Sequence, residues 1–180
     1  MLEIEKKYRL SELQRREVIQ AIREYGAVYE GEDAEENTIF GGDALTDGGV
    51  IRLRKTQDRT LLTFKRRVED QSDAKHQTEY ETEVSDGDAA ELIIRELGLR
   101  PKIVYEKRRQ TWNFRKVEVV VDELPFGLFM EIEGSLTGIK EAEMLLDIEH
   151  FAIEHDTYPL LTARLGKSVG GVIESRFNSS

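Results

Sequence analysis

Charged side chains recur at every second position in segments that otherwise read as strands. Glu3, Glu5 and Lys7 open the chain, and Arg52 with Arg54, Lys65 with Arg67, and Glu79 with Glu81 and Glu83 follow. Lys107 with Arg109, Glu118 with Asp122, and Glu131 with Glu133 complete the set. Side chains alternate faces along a strand, so each group points one way from its own strand. The signs are sorted strand by strand, acids in some and bases in others. A surface free to vary would more often mix Ser, Thr, Gln and Lys. Sorted acids and bases fit a ligand on which both signs converge, so the chemistry they suggest is ionic binding inside a shared charged cavity.

Those residues need strands to carry them and helices to cover the other face. Val117, Val119 and Val121 oppose Glu118 and Asp122; Leu128, Met130 and Ile132 oppose Glu131 and Glu133; Ile51 and Leu53 oppose Arg52 and Arg54. The apolar faces require cover, which amphipathic helices supply. Ser11 followed by Gln14 predicts a capped helix over 11–25 that stops at Gly26. Ser85-Asp86 and Gly98 bracket a second helix near 87–97. A helical period returns from 138 to about 155, and Pro159 fits the first turn of a short helix over 158–166. Strands are expected near 50–56, 60–68, 79–84, 103–114, 116–122 and 128–133. Residues 27–40 read as a short strand, a turn and another strand, and 69–78 as an exposed mobile loop. The order is α+β and antiparallel, with roughly eight strands. The charged faces are then either the wet side of an open sheet or the lumen of a barrel, whose inner positions follow the same period of two.

The 180 residues fit a single domain, expected over 1–165, with 166–180 as a loosely ordered C-terminal tail. A net charge of −10 opposes general nucleic-acid or acidic-membrane binding. Without cysteine there are no disulfides and no thiolate metal sites. With no leader or long apolar run, the reading is a cytoplasmic protein.

The ordered set of motifs resembles the CYTH domain, the triphosphate tunnel metalloenzyme family. Glu3-x-Glu5-x-Lys7 is similar to the family's ExExK signature. Arg52-Leu53-Arg54, Thr63-Phe64-Lys65, Glu79 to Glu83, Tyr105 to Arg109, Asp122 and Gly127 to Glu133 follow in the family's order. The resemblance implies an antiparallel eight-stranded β-barrel with helices packed outside and a triphosphate held in the lumen with Mg²⁺ or Mn²⁺. It implies Lys7, Arg52, Arg54, Lys65, Lys107 and Arg109 as phosphate-binding residues, with Lys107 and Lys65 also catalytic. Glu3, Glu5, Asp122, Glu131 and Glu133 would hold metal, with Glu81 and Glu83 in support. Several of the cations are expected to pair with lumen carboxylates in the empty protein.

The same lumen serves different chemistries. Water attacking the terminal phosphorus makes a triphosphatase acting on tripolyphosphate, ATP or thiamine triphosphate. The ribose 3′-oxygen of ATP attacking the α-phosphorus makes a class IV adenylyl cyclase, and tight binding without turnover makes a polyphosphate or nucleotide module. Hydrolysis is the favoured reading. Phe40, Phe64, Phe126, Phe129 and Trp112 are the aromatics that could stack on a base, with core packing the plainer role for each. In some family triphosphatases a tyrosine assists the base lysine; Phe40 stands at its expected position, a departure. The acidic runs 30–36 and 141–149 read as solvated faces, and a homodimer is a family expectation.

Overall fold

The computed structural model describes residues 2–45, 48–68 and 75–178, with the side chains of 2, 3, 67, 68, 75 and 76 outside that description. The strands are β1 (Leu2–Leu10), β2 (Val28–Gly41), β3 (Val50–Lys55), β4 (Thr60–Val68), β5 (Lys75–Val84), β6 (Arg100–Phe114), β7 (Val117–Leu124), β8 (Gly127–Glu133), β9 (Lys167–Val169) and β10 (Val172–Ser175). The helices are α1 (Glu12–Glu24), α2 (Gly87–Glu96), α3 (Leu136–Leu146) and α4 (Tyr158–Leu165). The sheet runs β2-β3-β4-β5-β1-β8-β7-β6, and β2 pairs back onto β6 from Val28↔Asn113 to Gly41↔Arg100. Every pairing in that ring is antiparallel and each strand has two neighbours, so the sheet closes on itself and the open-sheet reading is excluded.

Several boundaries differ from expectation. Residues 27–40 form one long strand, because β6 supplies an unbroken partner; the turn expected inside it reduces to an irregularity between Tyr29 and Gly31. β5 begins at Lys75, inside the stretch read as a loop, whose remainder lies outside the described residues. α3 stops at Leu146, where Asp147 takes a left-handed conformation (φ 53°), so 147–155 is not helical. Residues 167–175 form the β9–β10 hairpin, and β10 lies parallel to the start of β6, with Ile173 opposite Ile103. The capping box at Ser11 is present, its hydroxyl accepting from the Gln14 N–H while the Gln14 side chain accepts from the Ser11 N–H.

Alternation decides what lies inside and outside. Tyr8, Trp112, Phe114, Val119, Val121, Met130 and Ile132 face outward and are sealed by Val18 and Ile22 of α1 and by Ile139, Ala142 and Leu146 of α3. Phe40 and Leu53 face outward beneath Ala90 and Ile94 of α2. The inner face is charged except at one end. There Ile39, Tyr105, Leu124 and Phe129, which share strand faces with the charged lumen residues, pack against Tyr158 and Leu161 of α4. α4 therefore plugs that end of the barrel. Among the described residues no helix is long and apolar enough to cross a membrane.

Candidate active site inside the barrel

The cations expected in one cavity are brought together, and carboxylates meet them. Lys7 lies 3.3 Å from Glu131. Arg52 reaches Glu81 at 3.3 Å and Glu79 at 3.6 Å, and Lys65 pairs with the same Glu79. Lys107 stands 3.3 Å from Glu35 and 3.6 Å from Asp122. Arg109 donates through Nε to Asp122 Oδ1 at 2.7 Å and through Nη2 to Asp122 Oδ2 at 2.6 Å and Glu131 Oε2 at 2.5 Å. The expected internal pairing is present, and it lets a closed barrel keep buried charges that would otherwise be strongly disfavoured.

Glu35 belongs to this network and sequence reasoning missed it. It lies in a run of acids read as a solvated face, yet it is 4% exposed and pairs with both Arg54 (3.6 Å) and Lys107. Its signal was the period of two linking Glu35 to Asn37 and Ile39, hidden because Glu30, Glu32 and Glu36 put acids on the other face as well. Burial alone would raise its carboxyl, but Lys107, Arg54 and Arg109 outweigh that and hold it well below the usual range. The run 141–149 also has a buried member: Glu143 accepts from Lys6 and from the Tyr8 hydroxyl, each at 2.6 Å, on the outer face.

Burial and the neighbouring Arg109 guanidinium bring Lys107 down to about 8. Arg54 is lowered by burial and by Arg52. For Arg109 burial acts in the same direction, but Asp122 and Glu131 more than reverse it. Tyr158 donates its hydroxyl to Asp122 Oδ2 at 2.7 Å, and burial, with Asp122 and Glu131 nearby, keeps that hydroxyl protonated. Two guanidinium groups are incompletely satisfied: the buried Nε–H groups of Arg52 and Arg54 make no hydrogen bond, that of Arg54 facing Glu35 at 3.6 Å. Asn37, fully buried beside Glu35, has an Oδ1 that accepts no hydrogen bond.

Among the described residues no group of three or more His, Asp or Glu side chains converges as a ready metal cage. The donor chemistry nevertheless fits a hard divalent cation. Glu5 and Glu133 face each other across β1 and β8, and Glu118 stands beside Glu133 on β7. Like charges opposed on a ladder repel, and a cation held by carboxylate oxygens and water relieves that repulsion. Two of the expected ligands already have both oxygens engaged: Asp122 by Arg109 and Tyr158, and Glu131 by Lys7 and Arg109. Glu3 falls where side chains are outside the described residues. Glu81 supports Arg52 and Thr63, whereas Glu83 is exposed and makes no ion pair among the described residues.

The aromatic candidates are structural. Phe40, Trp112 and Phe129 are fully enclosed, Phe126 packs edge-on against Phe129, and Phe64 stacks on Tyr80. Phe40 faces α2, so a tyrosine there would not reach the lumen.

Comparison with known proteins adds to this geometry. The CYTH domain family matches residues 1–155. The PH1012 protein of Pyrococcus horikoshii OT3 superposes with a TM-score of 0.75 at 23% identity, over 87% of this chain and 96% of that one. A Vibrio parahaemolyticus protein named as a candidate adenylate cyclase gives 0.68 at 18% identity, covering 88% and 95%. A Hippeastrum protein described as having a dominant triphosphatase activity gives 0.69 at 15% identity, covering 96% and 100%. No curated protein matches the chain significantly by sequence.

Proposed function

The chain belongs to the CYTH domain family, and from that premise we propose that it holds the triphosphate group of a small molecule inside the barrel and, with a divalent metal ion, hydrolyses it to release phosphate. The observation that carries the reading is the pair Arg52 and Arg54, whose buried Nε–H groups make no hydrogen bond, that of Arg54 standing 3.6 Å from Glu35, among further lumen cations. Each unmet buried donor costs about 1–3 kcal/mol, and an acceptor-only phosphate chain satisfies several at once.

In this reading Arg52, Arg54, Lys65, Arg109 and Lys7 bind the phosphate oxygens and spread their charge, the main demand of phosphoryl transfer. Glu5 and Glu133, with Glu3, would hold Mg²⁺ or Mn²⁺; Asp122 and Glu131 would join them as Arg109 turns to the phosphate chain and releases them. When bound, the ion polarises phosphoryl oxygens as a Lewis acid. Lys107, brought down to about 8 by its burial and by Arg109, takes the proton of the attacking water on its Nζ. The water oxygen forms a bond to the terminal phosphorus as the anhydride P–O bond breaks, and the leaving phosphate oxygen carries away the electron pair. Hydrolysis is preferred to cyclisation because Phe40, Trp112, Phe126 and Phe129 are taken up in core packing and Phe64 stacks on Tyr80 on the outer face. The triphosphatase activity described for the Hippeastrum protein agrees with that preference.

The purified chain should release phosphate from tripolyphosphate, thiamine triphosphate or ATP when Mg²⁺ or Mn²⁺ is present. Arg54→Ala and Glu133→Ala should each lower kcat/KM by at least about 100-fold with the circular dichroism spectrum unchanged. Wild-type rates in both variants would exclude the lumen as the site, and cyclic AMP with pyrophosphate from ATP would make the protein a cyclase.

A further inference from the structure

We propose that Tyr158 is a positioning residue of this site, its hydroxyl and ring together holding Asp122, Lys7 and Lys107 in the arrangement that meets the phosphate chain. Its effect on turnover rests on the hydrolytic reading above, whereas its hold on these side chains does not. The family match ends at residue 155, yet the segment just beyond it reaches into the lumen. Tyr158 is 5% exposed and sits at the start of α4. Its ring is fixed on two sides, edge-on to Phe129 at 5.4 Å and tilted to Tyr105 at 6.2 Å.

Three donors compete for one oxygen. Asp122 Oδ2 accepts from Arg109 at 2.6 Å and from the Tyr158 hydroxyl at 2.7 Å, while Lys107 Nζ waits at 3.6 Å. Because the hydroxyl occupies that lone pair, Lys107 is not drawn fully onto Asp122 and keeps its donors for a phosphate oxygen. The ring does the same for Lys7 by another route. Lys7 Nζ lies 3.7 Å from the ring centroid and donates to the Asp156 carbonyl at 3.2 Å, with Glu131 at 3.3 Å. A π-face attracts an ammonium without adding a formal negative charge. Lys7 is thereby aimed by the ring and the Asp156 carbonyl as well as by Glu131. Lys107 Nζ is 5.5 Å from the same ring, so one side chain from outside the matched stretch orients a cation from each of two strands and the acid between them.

A phenylalanine would plug the barrel equally well, which gives the test. Tripolyphosphate binding is measured by calorimetry in metal-free buffer, and kcat and KM with Mg²⁺, for the full chain, Tyr158→Phe and Leu161→Ala. Leu161 packs in the same plug, in the apolar cluster with Ile39, Leu124 and Phe129. Tyr158→Phe should keep its Tm, weaken tripolyphosphate binding about threefold as Lys107 closes on Asp122, and lower kcat about tenfold with KM changed far less. Leu161→Ala should lower Tm and leave the dissociation constant unchanged. Wild-type binding and kcat in Tyr158→Phe overturn the proposal, as does a wild-type chain that does not bind tripolyphosphate. Binding without phosphate release removes the hydrolytic reading alone, and the calorimetric comparison still decides the role of Tyr158.

Discussion

Glu35 shows how one buried carboxylate controls what the lumen can accept. It neutralises Arg54 and Lys107 in the empty barrel and competes with any anion that needs the same cations. Glu35→Gln keeps the shape but removes the competitor, so two effects of opposite sign are expected. Folding stability should fall by about 3 kcal/mol, the cost of leaving buried cations without their partner, read from urea unfolding. Tripolyphosphate should bind about tenfold more tightly, read by calorimetry. Equal affinity in the two proteins would mean that Glu35 is not displaced by the ligand. The cations of the site were legible because their strands carry them at a clean period of two. Glu35 was not, since acids on both faces of β2 erase the contrast that marks a buried position. Tyr158 lay beyond reach for another reason: its partner Asp122 is 36 residues away, and only the fold brings the two together.

At the scale of elements, the C-terminal segment is the clearest case of structure that local pattern does not encode. Its strand β10 is a short run, Val-Ile-Glu-Ser, whose reason to be a strand is the free edge of β6 near Ile103 and Tyr105. The ladder is completed by Arg176, which donates to Glu36 at 2.5 Å, Glu106 at 3.1 Å and Glu174 at 2.6 Å. The helices were easier, because the Ser11 box, the Ser85-Asp86 start and Pro159 in the first turn of α4 are local signals. Between α4 and β9 stands Gly166, where an added Cβ would lie 2.7 Å from the carbonyl oxygens of both Glu174 and Thr162. Its backbone is extended (φ −78°, ψ 179°), so space rather than conformation excludes a side chain. Gly166→Ala should therefore separate α4 from β10, lowering stability by about 1–3 kcal/mol. Amide exchange should accelerate in α4 and β10 while the β1–β8 pairing stays protected. Uniform acceleration throughout the chain would show that the plug does not open as a separate unit.

The whole molecule carries a net charge of −10 while its interior collects cations, so its response to acid should originate inside the barrel. In the folded state Lys107, Arg54 and Arg109 hold the Glu35 carboxyl well below its ordinary 4.5. Just below pH 4.5 the unfolded chain binds the proton and the folded chain does not. The stabilisation from Glu35 is thus complete above about pH 4.5 and is lost as the pH falls below it. Once the lumen carboxylates are protonated, the closed barrel encloses Arg52, Arg54, Lys107 and Arg109 without compensation. General surface repulsion does not explain a loss beginning there, because the sequence isoelectric point of about 5.0 puts the overall charge near zero at that pH. Acid unfolding should therefore yield to an anion that replaces the lost carboxylates. Tripolyphosphate at 100 times its dissociation constant adds about 2.7 kcal/mol to the folded state. It should move the midpoint of acid unfolding, followed by circular dichroism, down by about one pH unit. Sodium chloride at the same ionic strength reaches exposed charges but not enclosed ones, and should move it far less. Equal shifts from the two salts would place the acid-sensitive charges on the outer surface instead of in the lumen.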